Sequence, residues 1–182
     1  MADMKTSRRF SLLLAALTVS LPVFAAEVLK PAEPPKAAAL EMDQGYLKLG
    51  FEQLASYPFN PPNFDPAANP QVKPPTGEEQ IPAQVKGWNG KKAVITGYMV
   101  PVKMEKGLVT EFLLMRNTMA CCFGTVPNMN EWVIVKMKQG VQPMMDVPVS
   151  FYGSLKVGAM FENGYMTGLY ELEGERMGEV KG

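Results

Sequence analysis

The sequence predicts a mainly β protein: a small five-stranded antiparallel barrel preceded by a short N-terminal helix and a proline-rich strap. Three observations predict it. From residue 92 onward, apolar and polar residues alternate with a period of two in successive short runs. Glycine-containing turn signals separate those runs. Seven prolines between Pro58 and Pro75 stand ahead of them, in a stretch that cannot supply the donors a sheet requires.

The N-terminus reads as an export signal. Lys5, Arg8 and Arg9 precede the apolar run Phe10 to Phe24, and Val23-Phe24-Ala25 offers small residues at signal-peptidase spacing. The pattern predicts a signal peptide over residues 1–26, cleaved after Ala25 or Ala26, and a periplasmic destination by Sec export. Ser7-Arg8-Arg9-Phe10 also admits the twin-arginine route. An uncleaved anchor is the alternative, but the run is shorter than the roughly 20 residues a span needs. The chain has 18 basic and 18 acidic side chains. Removing Lys5, Arg8, Arg9 and Asp3 with the signal leaves 15 and 17, a net charge of −2. That balance argues against nucleic acid as a partner and against an anionic membrane surface. No second apolar run is long enough to span a bilayer, so no membrane span is expected in the mature chain.

Residues 27–42 are rich in Ala, Pro, Lys and Glu and predict a disordered or extended linker. Asp43 is placed to cap a short helix, in which Leu47, Phe51, Leu54 and Ala55 share one face until Pro58 stops it. Residues 58–75 read as an extended strap, because Tyr57, Phe59 and Phe64 give it side chains to pack. A flexible linker and a proline-helix peptide ligand are the alternatives. Residues 43–75 thus form the helix and strap, and residues 76–182 the barrel domain.

Five strands follow. Ala93 to Val102 is the first, with Gly97 marking a bend or bulge. Lys103 to Gly107 is a polar turn. Leu108 to Arg116 is apolar on both faces near its end and reads as central. In Glu131 to Lys138, Val133, Val135 and Met137 face one way, and Trp132, Ile134 and Lys136 the other. In Val147 to Val157, Val147, Val149, Phe151, Leu155 and Val157 point inward, and Ser150, Tyr152, Ser154 and Lys156 outward. Asn163-Gly164 is a hairpin turn into Tyr165 to Leu172. One connection is long, Asn117 to Asn130. Five strands with one long loop fit an OB-like barrel, ahead of an SH3-like barrel or an open sandwich.

Ile81-Pro82-Ala83-Gln84-Val85-Lys86, Thr96-Gly97-Tyr98-Met99-Val100-Pro101 and Thr110-Glu111-Phe112-Leu113-Leu114, followed by a cysteine loop, resemble the bacterial exported proteins grouped as domain of unknown function 3299. The resemblance covers roughly residues 44–175. It implies export and carries no settled activity. The Arg116-to-cysteine spacing also resembles OB-like domains of exported proteins associated with metal, especially zinc, homeostasis.

The chain has no histidine and two cysteines, Cys121 and Cys122, side by side in the long loop. Ser-His-Asp hydrolysis, Cys-His catalysis and His-ligated zinc are therefore excluded. Three readings of the pair stand. In one, the thiols only fill space. In the second, they form a redox-active vicinal disulfide. Adjacent α-carbons lie about 3.8 Å apart, whereas ordinary disulfides span roughly 4.4–6.8 Å, so such a bridge is strained and reducible. In the third, the thiolates bind a soft metal, Cu(I) or Zn, with Met119, Met129, Met144 and Met145 as further sulfur ligands. The strand methionines Met99, Met115, Met137 and Met166 read as core filler.

Acid–base catalysis has no paired carboxylates at a diagnostic spacing; Glu111, in an apparent strand beside Arg116, reads as its structural partner, and Glu131 begins another strand. Trp132 and Tyr152 are placed on the outer faces of neighbouring strands and form a candidate ligand face. The expectation is an accessory or binding protein rather than an enzyme, working on a soft metal beside a periplasmic or membrane transport component. The alternative is a structural or protein-interaction barrel whose cysteines pack or bridge.

Overall fold

The computed structural model describes residues 40–119, 124 and 126–178. The predicted signal peptide and nearly all of the predicted linker lie outside them, as do Cys121 and Cys122. Among the described residues no helix is long and apolar enough to cross a membrane.

The described chain begins with two short strands, β1 (Met42–Asp43) and β2 (Tyr46–Leu49), then a single helical turn, α1 (Phe51–Leu54). This corrects the helix predicted across Leu47 to Ala55. Leu47 sits in a strand, paired with Ala93. Asp43 caps nothing; it lies in β1 and its carboxylate accepts the Tyr152 hydroxyl at 2.6 Å. The helical turn starts instead at extended Gly50 (φ −111°, ψ 170°), whose N–H donates to the Gln53 side chain. The i, i+4 spacing of Leu47 and Phe51 is met by coincidence, because a strand and a helical turn both direct those residues at the core.

Residues 58–75 run as an ordered strap. Phe59 enters the core at 4% exposure, and the Asn60 backbone exchanges two hydrogen bonds with the Gln80 side chain, at 3.0 and 2.9 Å. A 3-10 turn (Glu78–Gln80) and a second helical turn, α2 (Ala83–Lys86), then bring Ile81, Val85 and Trp88 into the same core.

The barrel comprises β3 (Lys92–Glu105), β4 (Leu108–Met115), β5 (Trp132–Val141), β6 (Pro148–Glu162) and β7 (Tyr165–Met177). The order is β3-β4-β5-β7-β6, closed by pairing of β6 with β3, the five-stranded layout expected of an OB-like barrel. The orientation is mixed rather than antiparallel throughout. β5 and β7 run parallel, Ile134 opposite Glu171, and β2 runs parallel to β3. The cause is the chain order: β7 fills the gap between β5 and β6, and its hairpin with β6 fixes its direction.

Alternation decides the core. Val133 and Val135 of β5, Val149, Phe151 and Leu155 of β6, and Phe112 and Leu114 of β4 are at most 1% exposed. Phe112 and Phe151 meet at 4.6 Å between ring centroids. Gly97 marks the place where β3 changes partners, from β6 (Gly97 opposite Val149) to β4 (Tyr98 opposite Met115). A Cβ there would stand 2.6 Å from the Met115 carbonyl oxygen, so a side chain does not fit the crossing. The bulge itself lies further on, between Pro101 and Met104. In β6 the register breaks after Val157, and side chains between the strap and β3 supply the missing acceptors. Asn89 takes the Val157 N–H at 2.9 Å and Glu78 the Ala159 N–H at 3.0 Å.

Candidate functional site

The long connection between β4 and β5 leaves the barrel through a clamped stem. The Arg116 N–H donates to the Glu131 carbonyl at 3.1 Å, and the Glu131 N–H to the Asn128 carbonyl at 2.9 Å. Arg116 Nη1 meets Glu131 Oε1 at 3.0 Å, and Glu131 Oε2 accepts the Asn128 N–H at 2.9 Å. Arg116 thus pairs with Glu131, the residue opposite the end of its own strand, and not with Glu111. One residue behind the clamp, Asn130 is 2% exposed and its side-chain amide donates to the Tyr57 carbonyl at 2.6 Å. The Tyr57 hydroxyl reaches Tyr170, whose own hydroxyl donates to the Leu54 carbonyl at 2.7 Å. Burial pushes the Tyr170 phenol well above its ordinary pKa, and Tyr57 in the same direction, so both act as neutral hydrogen-bonding groups. This chain ties the loop base to the strap and to α1.

Above the clamp lies a cleft of about 260 Å³, walled by Met115, Arg116 and Met119 on one side and Val126, Asn128 and Glu131 on the other. It is smaller than the roughly 300–1,000 Å³ of ordinary small-molecule sites. Met119 is 46% exposed there. Met145, 63% exposed, borders a second cleft of about 150 Å³ with Tyr98, Pro101, Thr118 and Asp146. The short segment Asn117–Met119 separates the two clefts, so Met119 and Met145 share one end of the barrel. Met129 and Met144 are instead packed against the core. Met99, Met115 and Met137 are buried filler, as their strand positions indicated. Cys121 and Cys122 lie outside the described residues, between Met119 and Gly124. Among the described residues no three His, Cys, Asp or Glu converge to hold a metal ion.

Trp132 and Tyr152 do not form one face. Trp132 is on β5 and Tyr152 on β6, with β7 between them. The Trp132 indole donates to the Thr167 carbonyl at 3.0 Å. Tyr152 is covered: Arg176 stacks 3.4 Å from its ring centroid and Tyr46 packs edge-on at 5.1 Å. The hydrogen bond to Asp43 raises its phenol pKa, with burial acting the same way. The outward residue of an alternating strand is here left only 6% exposed by the β1–β2 hairpin, a partner that strand period does not reveal.

A charged network occupies the outer face of β5, β6 and β7. Glu171, 8% exposed, meets Lys136 at 2.8 Å and Lys156 at 3.0 Å, and Lys156 also meets Glu173 at 2.6 Å. Bonding to Glu173 and then Glu171 pushes the Lys156 ammonium up to about 12. Burial alone would raise Glu171, but the two ammonium groups outweigh it and hold its carboxyl below the usual range. These groups are committed to one another and read as structural. Sequence reasoning passed over Asn130 and Tyr170 as well as this network. A lone Asn in a polar loop and a Tyr in a strand carry no spacing signal, and their roles follow from contacts across more than 70 residues.

Comparison with known proteins agrees with the fold. The chain aligns with the crystal structure of a DUF3299 family protein from Pseudomonas aeruginosa PAO1 at 29% identity and a TM-score of 0.53, covering 75% of this chain and 99% of that one. No curated protein matches it. The family model described as "Protein of unknown function (DUF3299)" matches residues 65–179, which takes in the last part of the strap, the whole barrel and the cysteine loop. The chain belongs to the DUF3299 family.

Proposed function

We propose that this chain is an exported accessory protein that binds a soft metal ion, Cu(I) ahead of Zn, at the β4–β5 loop. Cys121 and Cys122 are the thiolate ligands and Met119 a thioether ligand. The observation that supports it is Met119: a methionine 46% exposed on the wall of a cleft above the clamped loop stem, two residues from the cysteine pair. Apolar packing does not call for a half-exposed thioether there, and a soft cation does. Met145 is the second thioether within the same end of the barrel. Met129 and Met144 contribute less, because their side chains are spent on the core. Two thiolates and thioethers without imidazole favour Cu(I), since a closed zinc site takes four nitrogen or sulfur ligands. The clamp of Arg116 and Glu131 holds the loop ends close together, which lowers the ordering cost of ligation. A transport component of the periplasm or inner membrane would deliver or accept the ion. The basic and apolar N-terminal segment supports export, and a mature N-terminus at Ala26 or Glu27 is its signature.

The decisive experiment is a competition titration of the reduced mature protein against a Cu(I) chelator. Wild type withdraws Cu(I), more weakly at acid pH as the thiolates protonate. The Cys121→Ser, Cys122→Ser double variant does not, while keeping the circular dichroism of the barrel. Equal competition by the two proteins overturns the metal reading.

A second reading has its own observation. Val126 is 90% exposed and Met145 63%, both beside the same loop, as in a surface that docks a protein partner. On that reading the cysteines pack or bridge, and the titration shows no difference between the variants.

A further inference from the structure

We infer that the groove beside the β1–β2 hairpin is a binding site for a carboxylate, with Arg176 as the group that takes it. The groove encloses about 900 Å³ between the hairpin, Thr96 of β3, Ser150 of β6 and Arg176 of β7. That is within the size range of small-molecule sites. Arg176 is preorganised. Its guanidinium lies 3.4 Å from the Tyr152 ring centroid, and Nη2 donates to Gln44 Oε1 at 2.6 Å. Both partners are neutral. They fix the plane of the fork without neutralising its charge. Among the described residues no carboxylate lies within 4.0 Å of Arg176. Arg116, the other described arginine, has one in Glu131. A rigid, partly buried guanidinium whose donors meet no described carboxylate is suited to a bidentate carboxylate.

Two further features narrow the ligand. Thr96 and Ser150 stand opposite each other in register, their hydroxyls 2.8 Å apart on the groove floor. One hydroxyl hydrogen joins them, and the other is left to donate to a ligand oxygen. The wall also carries two carboxylates. Glu41 is matched by Lys48 at 2.9 Å, whereas among the described residues Asp43 is met by the Tyr152 hydroxyl alone. Asp43 therefore disfavours a polyanion and welcomes a hydrogen-bond donor beside the ligand carboxylate. The class is a monocarboxylate bearing such a donor. Its source is either a small hydroxy acid or the chain end of a peptide.

Calorimetric titration of the mature protein with glucuronate, with N-acetyl-dialanine and with N-acetyl-dialanine amide separates these. Binding of either acid supports the site and names its source, and the amide binds at least about tenfold more weakly, the loss expected for one charge-assisted contact. Arg176→Gln abolishes binding, Arg176→Lys weakens it at least about tenfold, and Ser150→Ala weakens it about threefold. If Arg176→Gln fails to fold, the acid–amide comparison and Ser150→Ala still decide. The backbone leaves the groove at Gly178, so Glu179→Gln is included to test the chain's own next carboxylate. Binding confined to Glu179→Gln, equal binding of acid and amide, or no binding by any variant overturns the proposal.

Discussion

The hydroxyl of Tyr57 lies 2.8 Å from that of Tyr170, and this pair fastens the proline strap to the barrel core. Tyr170 is fully buried, and its own proton goes to the Leu54 carbonyl. Tyr170→Phe keeps the ring and removes the oxygen, leaving that carbonyl and the Tyr57 hydroxyl short of partners. A loss of about 1–3 kcal/mol in urea unfolding is expected, the cost of stranding buried polar groups. A loss below about 0.5 kcal/mol would show that water replaces the bond and that the strap is more loosely held.

Phe151 packs on Phe112 inside the barrel with no exposed surface. Phe151→Ala should cost roughly 3–5 kcal/mol, because a closed barrel cannot collapse onto the cavity. Chemical denaturation measures it. A cost near 1 kcal/mol contradicts the register of β6 by one residue.

Glu171 gives the fold a dependence on acid. Its carboxyl is held below the usual range despite burial, so its contribution is present above the unfolded pKa of about 4.3 and is lost as pH falls through the lower folded value. The melting temperature of wild type should drop across that window more steeply than that of Glu171→Gln. At pH 7 the variant should be less stable by about 1 kcal/mol, a modest figure because both lysines are half exposed. Parallel pH profiles for the two proteins place the role of Glu171 elsewhere.

The methionines should separate by exposure. Met119→Leu removes a half-exposed thioether and should weaken Cu(I) retention by the reduced protein severalfold. Met129→Leu removes one packed on the core and should change it little, at nearly conserved volume. The reverse ranking in a chelator competition would move the metal from the Met119 cleft to the inner side of the loop.

Strand period made β4 and the inward residues of β5 and β6 legible, because one face of each is sealed. The Asn163-Gly164 turn was legible because both its residues take positive φ, 52° and 85°, and Asn-Gly is built for that. Gln44-Gly45 makes the same kind of turn, at 50° and 83°, with a residue that does not announce it, so β1 and β2 went unseen. Tyr152 was placed on the outside correctly by alternation, yet it is buried by the hairpin that was missed. The parallel pairing of β5 with β7 depends on which gap the last strand enters, and no local pattern encodes that. At the candidate site, the long loop and the core methionines were readable. The clamp partner of Arg116 and the Asn130–Tyr57 tie were not, since each is a contact between distant segments.

The insertion of β7 between β5 and β6 has a consequence for how the molecule comes into being. A chain emerging from its N-terminus can pair β3 with β4 and β4 with β5, and then lay β6 back on β3. At that stage β5 and β6 both present bare edges facing an empty slot. Only the thirteen residues from Tyr165 to Met177 fill it. Cooperative closure thus waits for the final strand, and the rate of folding is governed by non-local pairings. Until then two strand edges stay unpaired. Damage to this one segment would expose two edges at once to strands of other molecules.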